Sequence, residues 1–316
     1  MTPKTLSLVL FAASLASPLH AQHSDRRPPV IDVHMHAPMS PGPVEEFAPR
    51  LQSQLESMDS LDVRYIMLTG VPDVLFSWRP EVEKQVGVLP GLLFPCVNGA
   101  AVMWGRPCFE SGEDWPDLDL LRDHIEAGRV GALGEITTQF LGLGPSDPAF
   151  EPYLALAEEY DLPVFIHMLP GNPEWRYDGE DIGNFPVPEF RASAGDPLLL
   201  EEALLKHPGV RVAVVHSGWP LADEMVYMLK RHPQVYAEIG LLQRTGLFPR
   251  DQYYSFLRRL VDAGFSDRIL FGSDASLKEG IAAIMEADFL TYEQTEAILC
   301  RNAARFLRLG DEICRD

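Results

Sequence analysis

The stretch Val30-Ile31-Asp32-Val33-His34-Met35-His36 decides how the rest of the chain is read. It opens apolar and β-branched, as a buried strand does, and closes on two histidines two residues apart. Strand side chains alternate between faces, so His34 and His36 point the same way. Outward from this strand, Val30–His34, similar runs recur at Arg64–Thr69, Gly91–Val97, Val130–Ile136, Pro163–His167, Arg211–His216, Gln234–Ile239 and Arg268–Ser273. Between them lie helical patterns such as Leu118–Ala127, Phe150–Tyr160, Leu198–His207, Ala222–Arg231 and Gln252–Ala263, with a last one near Tyr292–Leu307. Eight strands alternating with helices predict an α/β chain folded as one (β/α)8 TIM barrel. An open doubly wound sheet is the alternative, but no Gly-rich phosphate turn follows the first strand. Two long connections, Asn98 to Pro116 after the third strand and Met168 to Pro197 after the fifth, fall on the face where barrels keep their active sites.

Other polar residues also close apolar runs: Glu135 the fourth, His167 the fifth, His216 the sixth and Asp274 the eighth. Each is costly to bury without a partner, and a shared metal supplies one. A closed barrel brings all these strand ends to one face. The bland alternative makes the histidines satisfied core or surface residues and Asp274 the cap of a following helix. His124, His207 and His232 fall in helices or before prolines and are set aside, and Asp32 is read as supporting structure.

The ordered set His34-x-His36, His167, His216 and Asp274, with the ending Ile298-Leu299-Cys300-Arg301-Asn302-Ala303-Ala304-Arg305-Phe306-Leu307, resembles the amidohydrolase superfamily and particularly its amidohydrolase-2 branch. The resemblance implies a divalent metal held by His34, His36, His167 and Asp274. It makes His216 either a ligand to a second metal or a catalytic histidine. Glu135 resembles the glutamate that bridges two ions in some members, although pairing with a basic neighbour or with a ligand histidine is also open. One or two ions per chain are implied, zinc by default, with manganese, iron or cobalt also compatible. The implied activity is hydrolysis of a small-molecule ester, lactone or amide by metal-activated water, with Asp274 moving the proton and His216 stabilising the oxyanion. The runner-up is non-oxidative decarboxylation on the same scaffold, and a non-catalytic periplasmic binding protein is the third class.

The 316 residues are 46% hydrophobic and 23% charged, which suits one large globular domain. Lys4, the apolar run Leu6–Ala16 and the small Ala21 have the layout of a signal peptide over residues 1–21, leaving a barrel over 22–316 that is exported to the periplasm or secreted. No later run is long enough to span a bilayer, so no membrane contact is expected after cleavage. The net charge of −20 argues against a nucleic-acid partner. The expected partner is a small-molecule substrate, and a homo-oligomer is left open. The four cysteines allow three pairings, of which Cys96–Cys108 and Cys300–Cys314 are sequence-local, and free thiols stay open. Trp104, Arg106, Trp175, Arg176 and Tyr177 in the long connections, and Trp219 after His216, are candidates for contacting substrate or for ordinary packing.

Overall fold

The computed structural model of the chain describes residues 27–37, 44–94, 115–171, 189–274 and 276–315. The signal-peptide segment, Cys96, Cys108, Trp104, Arg106, Trp175, Arg176, Tyr177 and most of both long connections lie outside those residues. Eight strands form one sheet in sequence order, all parallel: β1 Val30–His36, β2 Val63–Gly70, β3 Gly87–Phe94, β4 Ala132–Ile136, β5 Pro163–His167, β6 Arg211–Val215, β7 Val235–Glu238 and β8 Ile269–Leu270. The two ends of the sheet meet through backbone bonds from Val33 N–H to the Phe271 carbonyl (3.0 Å) and from Asp274 N–H to the His34 carbonyl (2.8 Å). The TIM barrel expected from the sequence is the fold observed.

Helices α1 Val44–Ser60, α2 Pro72–Val82, α3 Leu118–Glu126, α4 Glu151–Glu159, α5 Glu201–Lys206, α6 Ala222–Arg231, α7 Arg250–Asp262, α8 Leu277–Met285, α9 Tyr292–Glu296 and α10 Asn302–Leu307 connect or follow the strands. Their starts are set locally. The Asp117 side chain accepts from the N–H groups of Asp119 and Leu120 to cap α3, and Thr291 forms a capping box with Gln294 at α9.

Strand alternation divides the core into two layers. Ile66, Leu68, Val164, Ile166, Val212, Val214 and their equivalents pack outward against the helices. Ile31, Val33, Met67, Ala132, Phe165, Ala213, Val215, Tyr236 and Leu270 fill the barrel interior. Phe306 of α10 joins this interior set, edge-on to Phe165 (ring centroids 5.5 Å) and beside Tyr236 (4.8 Å). The C-terminal helix therefore closes the end of the barrel where the strands begin, opposite their C-terminal ends. The Cys300–Cys314 disulfide ties the last turn to the segment that leads into that helix.

Several boundaries differ from the sequence reading. β3 starts at Gly87 rather than Gly91, because Pro90 is accommodated opposite Leu68 while its carbonyl accepts from Gly131 N–H. β8 pairs with β7 over Ile269–Leu270 only, since Phe271 N–H turns to the Ile298 carbonyl. The segment read as one helix from Leu198 is a 3-10 turn, Pro197–Leu200, followed by α5. The last helical pattern carries a π turn at Ala297–Arg301 between α9 and α10.

Candidate metal centre

Regular alternation alone does not aim the polar strand ends inward. On β1 the interior positions are Ile31 and Val33, yet Met35 packs in the outer layer, and the pairing with β2 shifts register between Asp32 and Met35. That shift turns His34 and His36 toward the axis together. Register also slips around Glu135, between Leu133 and Ile136 on β4. His216 and Asp274 occupy positive φ angles of 59° and 39°, a conformation uncommon for residues other than glycine. His167 and Glu238 need no such device, because each follows an interior aromatic, Phe165 or Tyr236, by two residues.

All six residues singled out from the sequence come together at this end of the barrel. The Nε2 atoms of His34 and His36 are 3.0 Å apart. Glu135 stands between two groups: its Oε2 lies 3.5 Å from His34 Nε2 and 3.3 Å from His36 Nε2, while its Oε1 lies 2.6 Å from His167 Nδ1 and 3.5 Å from His216 Nε2. Asp274 Oδ1 is 3.6 Å from His36 Nε2. Three groups have their donor atoms within 4.8 Å of one another: His34, His36 and Asp274 on one side of Glu135, Glu135 itself with His167 and His216 on the other, and a third that joins His34 and His216 to Glu238; the first two are the ligand sets that share Glu135. A tetrahedral shell with bonds of about 2.1 Å has ligand edges of roughly 3.4 Å, which suits the other donor spacings, while the Glu135–His167 contact is a hydrogen bond that would open to admit an ion. Glu135 offers one oxygen to each side.

The electrostatics favour a cation. Burial would raise the Glu135 carboxyl, but the His167 and His34 imidazoles override it and hold the group well below the usual carboxylate range. Asp274 is likewise lowered against burial, by His34 and His36. Burial should depress His34, yet the Glu135 and Asp274 carboxylates push it well above its ordinary value. His216 is raised in the same way, chiefly by its contact with Glu135. His167 is lowered by burial. A field that draws protons onto buried imidazoles also draws a metal ion.

Three further features frame the centre. Asp32, fully buried, accepts from the backbone N–H groups of His34 (3.0 Å) and Ser273 (2.9 Å) and so pins β1 to the end of β8. The Thr69 hydroxyl bridges the Gly134 carbonyl (2.5 Å) and Glu135 N–H (2.7 Å), fixing the backbone beneath the bridging carboxylate. Phe140 lays its ring against His167 (centroids 4.8 Å) and Phe190 (5.7 Å), an apolar flank absent from the sequence reading. Trp219 packs edge-on against Phe248 in the core. His207 pairs with Glu158 away from the site, at 3.1 Å.

The residue that sequence reasoning missed is Glu238. It is fully buried at the end of β7, and its Oε2 lies 3.5 Å from His34 Nδ1. The signal was present: Val235-Tyr236-Ala237-Glu238 ends an apolar run on a carboxylate, as Leu133-Gly134-Glu135 does.

A family profile described as amidohydrolase matches residues 100–309, from the connection after β3 to the end of the last helix. The chain belongs to the amidohydrolase family. Within this amidohydrolase the matched span carries Glu135, His167, His216, Glu238 and Asp274, while His34 and His36 precede it. Similar solved structures include a zinc-bound amidohydrolase from Burkholderia multivorans, 15% identical with a TM-score of 0.57 over 89% of this chain and 100% of its own. A probable 2-pyrone-4,6-dicarboxylic acid hydrolase from Acinetobacter baumannii is 12% identical, with a TM-score of 0.55 over 89% of this chain and 99% of its own. A 2,6-dihydroxybenzoate decarboxylase is 15% identical, with a TM-score of 0.52 over 90% of this chain and 100% of its own. At these identities the likeness shows the fold. A comparison with curated proteins finds no match.

Proposed function

We propose that the chain is a divalent-metal-dependent hydrolase of a small-molecule ester, lactone or amide, with His34, His36, Glu135, His167, His216 and Asp274 as its metal ligands. The observation that carries this reading is the division of Glu135, whose two oxygens face two separate ligand sets. Zinc suits these imidazole and carboxylate donors. When bound, a divalent ion supplies Lewis acidity and lowers the pKa of water to about 7.

The protein's own groups then have distinct tasks. Asp274, whose side chain is more open than that of Glu135, takes the proton of the attacking water at a carboxylate oxygen and returns it to the leaving group. His216 donates its Nδ1–H to the Gly240 carbonyl (2.9 Å), which leaves Nε2 as a lone pair beside Glu135. This supports the ligand role for His216 over that of an oxyanion donor. Phe140 and Phe190 give the substrate an apolar wall next to His167.

Export to an oxidising compartment, after removal of residues 1–21, is the location we propose, and the Cys300–Cys314 bridge supports it. Among the described residues no helix is long and apolar enough to cross a membrane.

Metal analysis of the purified chain tests the proposal. Two ions per chain and metal-dependent turnover within a panel of esters, lactones and amides are expected. One ion per chain together with release of carbon dioxide from an aromatic carboxylate would replace hydrolysis by decarboxylation.

A further inference from the structure

We propose that Glu238 is a positioning residue: with the Gly240 carbonyl it holds the ring protons of His34 and His216 on their Nδ1 atoms, so that both Nε2 lone pairs face the metal centre. The inference rests on the metal reading above and gives Glu238, whose carboxylate also lies within 4.8 Å of donor atoms of His34 and His216, a role that acts through those two rings.

The geometry is compact. Glu238 Oε1 accepts from Gly240 N–H at 2.5 Å, and Oε2 accepts from His216 N–H at 3.1 Å. The same Oε2 faces His34 Nδ1 at 3.5 Å, a charge contact longer than a hydrogen bond, and that buried nitrogen has no hydrogen-bond partner among the described residues. The opposite nitrogen of that ring, Nε2, points at His36 Nε2 and Glu135 Oε2. An anionic acceptor on the Nδ1 side draws the proton there and frees Nε2 for coordination. For His216 the acceptor on the Nδ1 side is the Gly240 carbonyl, at 2.9 Å. Glu238 and Gly240 thus orient one histidine from each ligand set. The Ser217 hydroxyl, donating to the Glu238 carbonyl at 2.7 Å, anchors the strand end that carries them.

The space for the carboxylate comes from two glycines. A Cβ on Gly272 would stand 1.9 Å from Glu238 Oε1 and 2.6 Å from His34 Cβ, and one on Gly240 would stand 2.4 Å from Oε1. Side chains at either position would drive the carboxylate off His34.

A purely structural Glu238 would only satisfy the two backbone N–H groups, and the E238Q variant separates the roles. Its amide oxygen takes the shorter contact, to Gly240 N–H, which turns the amide NH2 toward His216 N–H and His34 Nδ1. His34 Nδ1 must then accept, and the ring proton moves to Nε2, against the metal.

The experiment titrates zinc into the full chain against a chelating competitor, with melting curves of the chelated chain and nitrogen-15 imidazole spectra of the zinc-loaded wild type. Expected are zinc binding about 10- to 100-fold weaker in E238Q, a chelated melting temperature lowered only by the loss of the His216 N–H bond, and a His34 proton on Nδ1 in the loaded wild type. Zinc affinity in E238Q within twofold of wild type, or a His34 proton on Nε2 in the loaded wild type, overturns the inference and leaves the metal reading standing. The spectrum decides even where E238Q does not fold. A wild-type chain that binds no zinc or other divalent ion overturns the metal reading, and the inference with it.

Discussion

Asp32 shows a single residue setting a pH response. Burial raises its carboxyl from 3.8 to about 6, more than the bonds to Ser273 and His34 can offset. Between those values the folded chain keeps a proton that the unfolded chain has lost, so stability falls as pH rises through the window. The shift of about two units corresponds to roughly 3 kcal/mol. In chelated protein, Asp32→Asn should therefore reduce the loss of stability between about pH 4 and pH 6, as measured by denaturant titration across that range. An unchanged slope would mean that Asp32 titrates normally. Glu135→Gln acts on the centre itself: it removes the charge shared by both ligand sets. It should cut metal content from two ions to one or none and lower turnover by about 100-fold or more, since such an ion contributes several kcal/mol. Metal analysis beside steady-state rates checks both. His34, His36, His167, His216 and Asp274 were legible because a polar residue ended each apolar run. Glu238 ends its run in the same way as Glu135, with an isoleucine after each, and was missed because no family pattern singled out the seventh strand.

At the scale of elements, the order and type of all eight strands were legible from β-branched runs, but their ends were not. Where β8 stops is decided by Phe271 and Ser273 bonding outside the β7 ladder, to Ile298 and Asp32. The inward turn of His34 and His36 depends on a register shift that no periodicity reveals. The closure of the barrel by α10 was equally hidden, since it depends on Phe306 meeting Phe165 and Tyr236, which lie far from it in sequence. Phe306 is nearly fully buried, and Phe306→Ala should cost about 3–5 kcal/mol, a large-to-small core loss. The bridge from Cys300 to Cys314 closes a segment of 14 residues beside it. Replacing both cysteines by serine should cost about 3 kcal/mol through the freed chain entropy. Melting curves under oxidising and reducing conditions test this, with the serine variant expected to match the reduced wild type.

On the scale of the whole molecule, an acidic chain of net charge −20 gathers four carboxylates, Asp32, Glu135, Glu238 and Asp274, at one end of its barrel. Their partners there are histidines, which lose their charge as pH rises, whereas a divalent ion would keep its own. An ion bound only by the folded chain adds stability as RT ln(1 + [L]/Kd), about 4 kcal/mol when free metal is a thousand times Kd. Chelation should therefore lower the melting temperature by several degrees near neutral pH. The drop should shrink toward pH 5, where protonated His34 and His216, already raised by Glu135 and Asp274, compete with the metal and take over part of its task. Melting curves at pH 5 and pH 8, with and without chelator and with zinc restored, measure the difference. A chelator effect of equal size at both pH values would show that protons and metal do not compete for these histidines, and would move the metal to another part of the molecule.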